Sequence, residues 1–305
     1  VPSNPITTLL SHRQPLRDDV RDALAQLDQL AETRADLADL ATTYAALLRV
    51  AFREPPPTPT VELDRARAAT KLQGGVPLLR GEPIALDGRW LRGQYLRLCD
   101  AVLDSRDQRS DSGRAIRGAA RALRQATKTG TLDIAGHAGA LIATGPHDFA
   151  ERVARLNLDA ELAGSLLRWT LLPLLEQVAL QLRPVYEVEL WQAGYCPICG
   201  SWPLLGERRG IEQMPFLRCG LCASDWRLWD LACPFCDTHN YRDLAYLYDE
   251  SDAGTQRAMT CDRCRGYYKS VATLAPLTTP MLMVTDLATL HLDLIALERA
   301  YAPPS

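Results

Sequence analysis

The sequence predicts a multi-domain α+β protein: an all-α helical domain over residues 1–184, then two small β modules over 185–230 and 231–305, the second closed by a C-terminal helix. Three observations carry this reading. Apolar residues recur at steps of three and four from about Leu16 to Leu182, as one buried helix face requires. Near Pro184 that pattern gives way to short segments punctuated by aromatic residues, glycine and cysteine. Four Cys-x-x-Cys pairs then fall between Cys196 and Cys264 and form the repeated element of the chain.

The elements follow in order. Val20, Leu24, Leu27, Leu30 and Ala31 mark a first amphipathic face, and Leu37, Leu40, Tyr44, Leu47, Leu48 and Ala51 a second. Pro55, Pro56, Pro57 and Pro59 interrupt the chain, because proline lacks the amide donor and blocks the preceding turn. Helical patterns resume over 62–72, 89–103, 115–126 and 149–156. The stretch 160–182 is a further helix, which Pro173 should kink or divide. Richness in Ala, Leu and Arg suits helix formation, and seven or eight helices are expected. Beyond Pro184, residues 185–191 alternate like a short strand or an extended linker. Residues 267–273 and 281–284 read as strands, and Thr285 as the N-cap of an amphipathic helix over 286–300.

Composition narrows the classes of function. At 305 residues, 47% apolar and 23% charged, the chain can bury a sizeable core in two or three domains. A net charge of -3 offers no general attraction to nucleic acid or to an anionic membrane. The most apolar stretch, 162–182, is broken by Arg168, Pro173 and Glu176. It falls short of the roughly 18 to 20 apolar residues a span needs, so no direct membrane insertion is expected. The N-terminus lacks a basic region followed by an apolar core, so no secretory signal is expected and the expected location is cytoplasmic. There, paired cysteines serve as metal ligands or redox thiols rather than as structural disulfides.

The pairs are Cys196/Cys199, Cys219/Cys222, Cys233/Cys236 and Cys261/Cys264. Two residues between thiolates let one tight turn present both sulfurs to a single ion, and two such turns complete a closed tetrahedral site. In Cys196-Pro197-Ile198-Cys199-Gly200, proline sets φ entering the turn and glycine tolerates a positive φ after it. Asp237 takes the glycine position after Cys236, and the last pair has its glycine one residue later, at Gly266. The simplest grouping is sequential, first pair with second and third with fourth; spacing alone leaves a cross-braced grouping open. The expected cofactors are two metal ions, iron or zinc, one per four cysteines, in rubredoxin-like or zinc-ribbon modules. Zinc would be a redox-silent staple and iron redox-active. The plainer reading is that both ions only hold the modules together, since so small a β unit depends on its ion to fold. Thiol–disulfide exchange is the third reading, but a thioredoxin-like motif stands alone between a strand and a helix. Cys99, isolated on a helical face, reads as core.

Other candidates are weaker. From Cys196 to the end there are ten Lys and Arg against thirteen Asp and Glu, so nucleic acid is not an expected partner. Arg208, Arg209, Arg218, Arg263, Arg265 and Lys269 read as neutralising the thiolate sites. No phosphate loop, nucleotide fingerprint, Gly-x-Ser-x-Gly elbow or His-Glu-x-x-His helix is present, and no catalytic residue is assigned. His12, His137 and His147 are scattered, His239 lies near Cys236 without being needed there, and His291 reads as an interior side chain. Asp249, Glu250 and Asp252 read as a solvated hairpin tip. Trp202, Phe216, Trp226, Trp229, Tyr246 and Tyr248 divide between module core and a surface suited to a protein partner.

The flanks of the cysteines are more specific than their spacing. Trp191, Gly194-Tyr195-Cys196-Pro197-Ile198-Cys199-Gly200-Ser201 and Leu217-Arg218-Cys219-Gly220-Leu221-Cys222 resemble the FdhE family of bacterial formate dehydrogenase accessory proteins. So do Ala245-Tyr246-Leu247-Tyr248, Thr260-Cys261-Asp262-Arg263-Cys264-Arg265-Gly266-Tyr267 and Thr285-Asp286-Leu287-Ala288. Gly75 to Leu79 is a sparser match in the helical half. The resemblance implies a helical domain followed by two rubredoxin- or zinc-ribbon-like modules that can hold iron, with all eight family cysteines present. It also implies a cytoplasmic assembly factor for respiratory formate dehydrogenases that are exported folded by the twin-arginine route. Its implied partner is the molybdenum- and selenium-containing catalytic subunit of that enzyme. A redox enzyme acting on the same client is the competing expectation, and a homodimer is left open.

Overall fold

A computed structural model describes residues 16–106, 110–145, 149–228, 232–250 and 254–302. Eight helices fill the first half among the described residues: α1 (Asp18–Thr33), α2 (Ala38–Ala51), α3 (Arg65–Gln73), α4 (Gly88–Ser105), α5 (Asp111–Thr129), α6 (Ile134–Thr144), α7 (Phe149–Arg155) and α8 (Ala160–Leu182). Asp64, Asp87, Ser110, Asp133 and Asp159 cap five of them, each accepting from an amide in the first turn and satisfying a donor that has no partner within the helix. The helix α6 has no counterpart among the helical patterns of the sequence. Pro173 lies inside α8 without dividing it, because Leu171, Leu172, Leu174 and Leu175 are all buried around it and tertiary packing outweighs the lost hydrogen bond.

Four expectations are corrected. Residues 185–191 form no strand: the chain makes 3₁₀ turns at Arg183–Val185 and Val188–Leu190 and then buries Trp191, whose indole N–H donates to the Tyr195 carbonyl at 2.8 Å. Residues 281–284 are likewise helical, within α9 (Thr279–Ala288), and the closing segment is split, with α10 (Leu290–Glu298) following. The N-cap is Thr278 rather than Thr285. Its hydroxyl accepts from the Met281 amide, and Pro280 occupies the first turn, where its missing N–H costs nothing. Thr285 instead accepts at its carbonyl from the Thr289 hydroxyl at 2.8 Å, at the break between the two helices. No single described helix is long and apolar enough to cross a membrane, and the α9–α10 pair passes that test only together, across a 48° bend.

Six strands form one mixed sheet: β1 (Pro203–Arg209), β2 (Met214–Cys219), β3 (Asp225–Arg227), β4 (Leu244–Leu247), β5 (Gln256–Cys261) and β6 (Tyr267–Thr273). Their order is β3-β2-β1-β6-β5-β4, so each module contributes a three-stranded antiparallel half. The halves meet through β1 and β6, which run parallel with Leu205 opposite Lys269 and Arg209 opposite Thr273. Lys269 is buried and ties the sheet to both closing helices: its Nζ lies 2.7 Å from carboxylate oxygens of Asp286 on α9 and of Asp293 on α10. The main hydrophobic core runs without a break from the helices into the first module, taking in Trp191, Ile198, Leu217 and Trp226, and also takes in Met283 and Leu287 of α9.

Candidate metal centres

The eight cysteines gather into two groups, Cys196, Cys199, Cys219 and Cys222, and Cys233, Cys236, Cys261 and Cys264. This is the sequential grouping. All four sulfurs of a group lie within 4.8 Å of one another. The close pairs are Cys196–Cys222 at 3.5 Å, Cys199–Cys219 at 3.4 Å, Cys233–Cys264 at 3.6 Å and Cys236–Cys261 at 3.7 Å. An ion bound tetrahedrally at about 2.3 Å spaces its sulfur ligands by about 3.8 Å, so both groups match the size of such a cage. None of the nine cysteines is in a disulfide, and Cys99 is buried in the helical core as expected.

One local structure builds all four pairs. The amide of each leading cysteine donates to the carbonyl five residues on: Cys196 to Ser201, Cys219 to Ser224, Cys233 to Thr238 and Cys261 to Gly266, at 2.8–3.0 Å. The residue after each second cysteine returns the bond to the leading cysteine's carbonyl, and it adopts a left-handed backbone. These residues are Gly200 (φ 82), Ala223 (φ 58), Asp237 (φ 55) and Arg265 (φ 60). Gly200 and Asp237 match the sequence expectation; Ala223 and Arg265 do not, since neither residue type announces such a φ. Gly266, expected to serve the last turn, is instead required by packing, because a Cβ there would meet the Phe235 ring at 2.7 Å.

Amide hydrogens also point at the sulfurs. Ile198 donates to Cys196 Sγ at 3.4 Å, Leu221 to Cys219 at 3.3 Å and Gly266 to Cys264 at 3.4 Å, while the Ser224 hydroxyl lies 3.0 Å from both Cys196 and Cys222. Such donors favour the thiolate form that a metal requires. Burial pushes the Cys219 and Cys222 thiols well above the ordinary range. Burial opposes ionisation of Cys196 too, yet hydrogen bonds from Cys199, Cys219, Cys222 and Ser224 hold it well below that range. Four thiols this close cannot all ionise in an apolar site by themselves, and a bound cation supplies the charge that lets them.

The two groups differ in exposure. Every cysteine of the first is buried, whereas in the second Cys236 is half-buried and Cys264 exposed. The first turn is fastened to the helical half, where Leu78 and Leu79 donate to the carbonyls of Pro197 and Ile198 at 2.8 and 2.9 Å. A cleft of about 550 Å³ opens between the helical half and the sheet, with Phe149 and Arg168 on one side and Trp202, Leu221, Tyr267 and Tyr268 on the other.

The remaining candidates separate cleanly. Of the basic residues, Arg209 pairs with Glu207 and Asp225, Arg218 with Glu207, Arg265 with Asp262, and Lys269 with Asp286 and Asp293. Arg208 is buried and donates to Gln213 and to the Thr255 carbonyl. Among the described residues His239 joins neither group and faces Asp237 at 3.6 Å, and His291 is partly buried on α10. Trp226 is core, while Tyr246 and Tyr248 are exposed. His12, His147, Trp229 and Asp252 lie outside the described residues.

No protein-family model matches the sequence. A Pseudomonas aeruginosa FdhE homolog is 30% identical over 298 residues, 94% of this chain and 88% of that protein. The chain belongs to the FdhE family. The crystal structure of the FdhE protein from Pseudomonas aeruginosa superposes with a TM-score of 0.60 at 26% identity, covering 96% of this chain and 95% of that one. FdhE homologs from Stutzerimonas stutzeri and Haemophilus influenzae are 34% and 32% identical, each alignment spanning 35% of this chain and 35% of the relative. Those shorter alignments cover about a third of each relative, and the full-length match is the one that carries family membership. This FdhE member therefore has the family's fold, a helical half followed by a mixed sheet that carries two four-cysteine groups.

Proposed function

We propose that this FdhE member is a non-catalytic assembly factor that binds the catalytic subunit of a respiratory formate dehydrogenase in the cytoplasm, before export. Residues 1–184 act as a helical platform, and the units 185–230 and 231–305 as metal-stapled ribbons. Cys196, Cys199, Cys219 and Cys222 hold one ion, and Cys233, Cys236, Cys261 and Cys264 the other; when bound, each ion supplies the positive charge that keeps four thiolates together. The observation that carries the reading is the fourfold repeat of one turn, which brings the sulfurs together in two groups of four, in a chain that belongs to the FdhE family. Exposed Tyr246 and Tyr248 and the cleft beside Trp202 offer a protein partner both aromatic and polar contacts.

The test is capture of a formate dehydrogenase catalytic subunit by the full chain, with metal analysis of protein prepared without oxygen. Two ions per chain and capture that is lost when each group is changed to serine are expected. Capture that survives serine at all four pairs would refute a metal-dependent client site. The exposure of Cys264 favours one second reading, an iron in the outer group that exchanges electrons with the client. A visible rubredoxin-type spectrum that bleaches on one-electron reduction supports it, and colourless stoichiometric zinc from anaerobic preparation removes it.

A further inference from the structure

We infer that the two metal centres fill in a fixed order, the inner group forming the seat on which the outer group is assembled. This rests on the metal-binding reading above and concerns how the two sites depend on each other. The inner group has supports of its own. Its four cysteines belong to the main hydrophobic core with Trp191, Ile198 and Trp226. Its first turn is bonded to the helical half through Leu78 and Leu79, and the Tyr195 hydroxyl donates to the Gly75 carbonyl at 2.6 Å. The outer group lacks ties to the helical half: neither Cys233 nor Cys261 joins a hydrophobic cluster although both are buried, and its last turn is bonded instead to the C-terminal segment, where the Ala302 amide donates to the Arg265 carbonyl at 2.9 Å and the Tyr301 hydroxyl to Asp262 at 2.5 Å.

What the outer group's Cys233–Cys236 turn leans on is the inner group's own turn. Gly194, two residues before Cys196, lies so close to the outer group's Cys233-Pro234-Phe235-Cys236 turn that a Cβ on it would overlap the Pro234 carbonyl and Cα. Trp202, three residues after Cys199, meets the Phe235 ring edge-on at 5.6 Å. Behind it Trp202 meets Tyr195 at 5.7 Å, and Tyr195 meets Trp191 at 5.2 Å, both edge-on. On its other side Phe235 meets Tyr268 at 6.2 Å and covers Gly266, next to the last cysteine turn. Five rings thus run from the inner group's entry segment to the outer group's exit strand. Gly194 and Trp202 bracket the loop that the Cys196–Ser201 hydrogen bond closes, so their positions follow from the first turn being formed. Loss of the inner ion releases that loop and with it the support under Pro234 and Phe235. Loss of the outer ion leaves the inner turn with its bonds to the helical half intact. Supporting contacts around metal ligands are worth about 10- to 100-fold in metal affinity, and that range sets the expected size of the coupling.

The experiment is a zinc titration of the full, anaerobically prepared chain, read by native mass spectrometry as the populations holding zero, one and two ions. With Cys233→Ser and Cys236→Ser, one ion should remain at the wild-type affinity of the tighter site. With Cys196→Ser and Cys199→Ser, the remaining site should weaken by about 10- to 100-fold relative to its wild-type value. Gly194→Ala keeps every cysteine and should weaken only the second ion by a similar factor. Trp202→Ala should do the same more mildly, and helical circular dichroism shows that each variant is folded. Full second-site affinity in the Cys196/Cys199 double variant would overturn the inference. So would unchanged affinities in both Gly194→Ala and Trp202→Ala. A wild-type chain that takes up no zinc would defeat the metal reading itself, an outcome distinct from two ions that bind independently.

Discussion

Glu207 offers the sharpest test of how the first module is held. It sits in mid-β1 with a side chain 0% exposed, flanked by Arg218 at 5% and Arg209 at 11%. One carboxylate oxygen accepts from Arg218 and from the Leu277 amide at 3.3 Å, and the other from Arg209 Nε at 2.5 Å. Arg209 keeps a second partner in Asp225 at 2.5 Å, so two arginines face two carboxylates. Glu207→Gln preserves shape and removes one charge. Arg209 still has Asp225, so the uncompensated charge falls on Arg218. Breaking a buried pair from one side costs about 3–5 kcal/mol; the glutamine oxygen still accepts one bond, which places the loss near the lower end, about 3 kcal/mol. Arg218 also donates to the carbonyls of Leu277 at 2.8 Å and Ala223 at 3.1 Å, so the same change loosens the turn beside Cys222. The assay is urea unfolding at fixed saturating zinc, with the midpoint moving and the slope unchanged. Glu207→Leu combined with Arg218→Met should be far less damaging than either change alone, because an apolar pair replaces buried charges at little net cost. A loss below about 1 kcal/mol in Glu207→Gln, or a double variant as damaged as the sum of its parts, would refute this account.

Other outcomes follow from the same geometry. Chelation should leave most of the far-ultraviolet helical signal while the emission of Trp191 and Trp226, both buried beside the inner group, shifts to the red; simultaneous loss of all helicity would show that the helical half cannot stand without the ions. Ala223→Gly should stabilise the chain by up to about 1 kcal/mol, since a left-handed φ of 58 strains alanine and not glycine, and a thermal melt that falls instead would count against strain at that turn. Burial, with Asp100 adding to it, pushes the Cys99 thiol up to about 12, so native alkylation at pH 8 should spare it and denatured alkylation should not. Because the folded pKa is raised above the ordinary thiol value of 9.0, that group's stabilisation is whole below about 9 and is lost as pH climbs toward 12.

Whatever local chemistry determines is legible in the sequence. The cysteine turns are legible because ligand spacing and the glycine or aspartate after the second ligand are constraints within a few residues. Most helices are legible from their apolar stripes. The helix α6 is not, because Ile134–Thr144 is apolar or small on most faces and shows no stripe to count. The run Met281 to Val284 reads as a strand because four apolar residues carry no period; the deciding signals are Thr278 and Pro280 just before it. Glu207 is out of reach in a different way. A glutamate in a strand reads as solvated, and only the fold reveals that two arginines from the same sheet follow it inside.

The least legible feature is also the one with the largest consequence, the parallel pairing of β1 with β6. Each of these strands begins just after a cysteine turn, β1 at Pro203 following Cys199 and β6 at Tyr267 following Cys264. Parallel alignment therefore sets both four-cysteine groups at one end of the sheet, within reach of a single ring contact between Trp202 and Phe235. Antiparallel alignment of the same strands would place the groups at opposite ends, about 23 Å apart for seven residues at 3.3 Å each. Two ribbons that fold around separate ions need no fixed relation to each other. The closing helices link the two, since Lys269 ties β6 to Asp286 on α9 and Asp293 on α10, while Leu282 of α9 packs with Leu205 of β1 and Val271 of β6. A neutral Lys269→Met variant is accordingly expected to disturb the outer group more than the inner, although Lys269 touches neither. Equal weakening of both ions in that variant would show that the closing helices do not set the alignment.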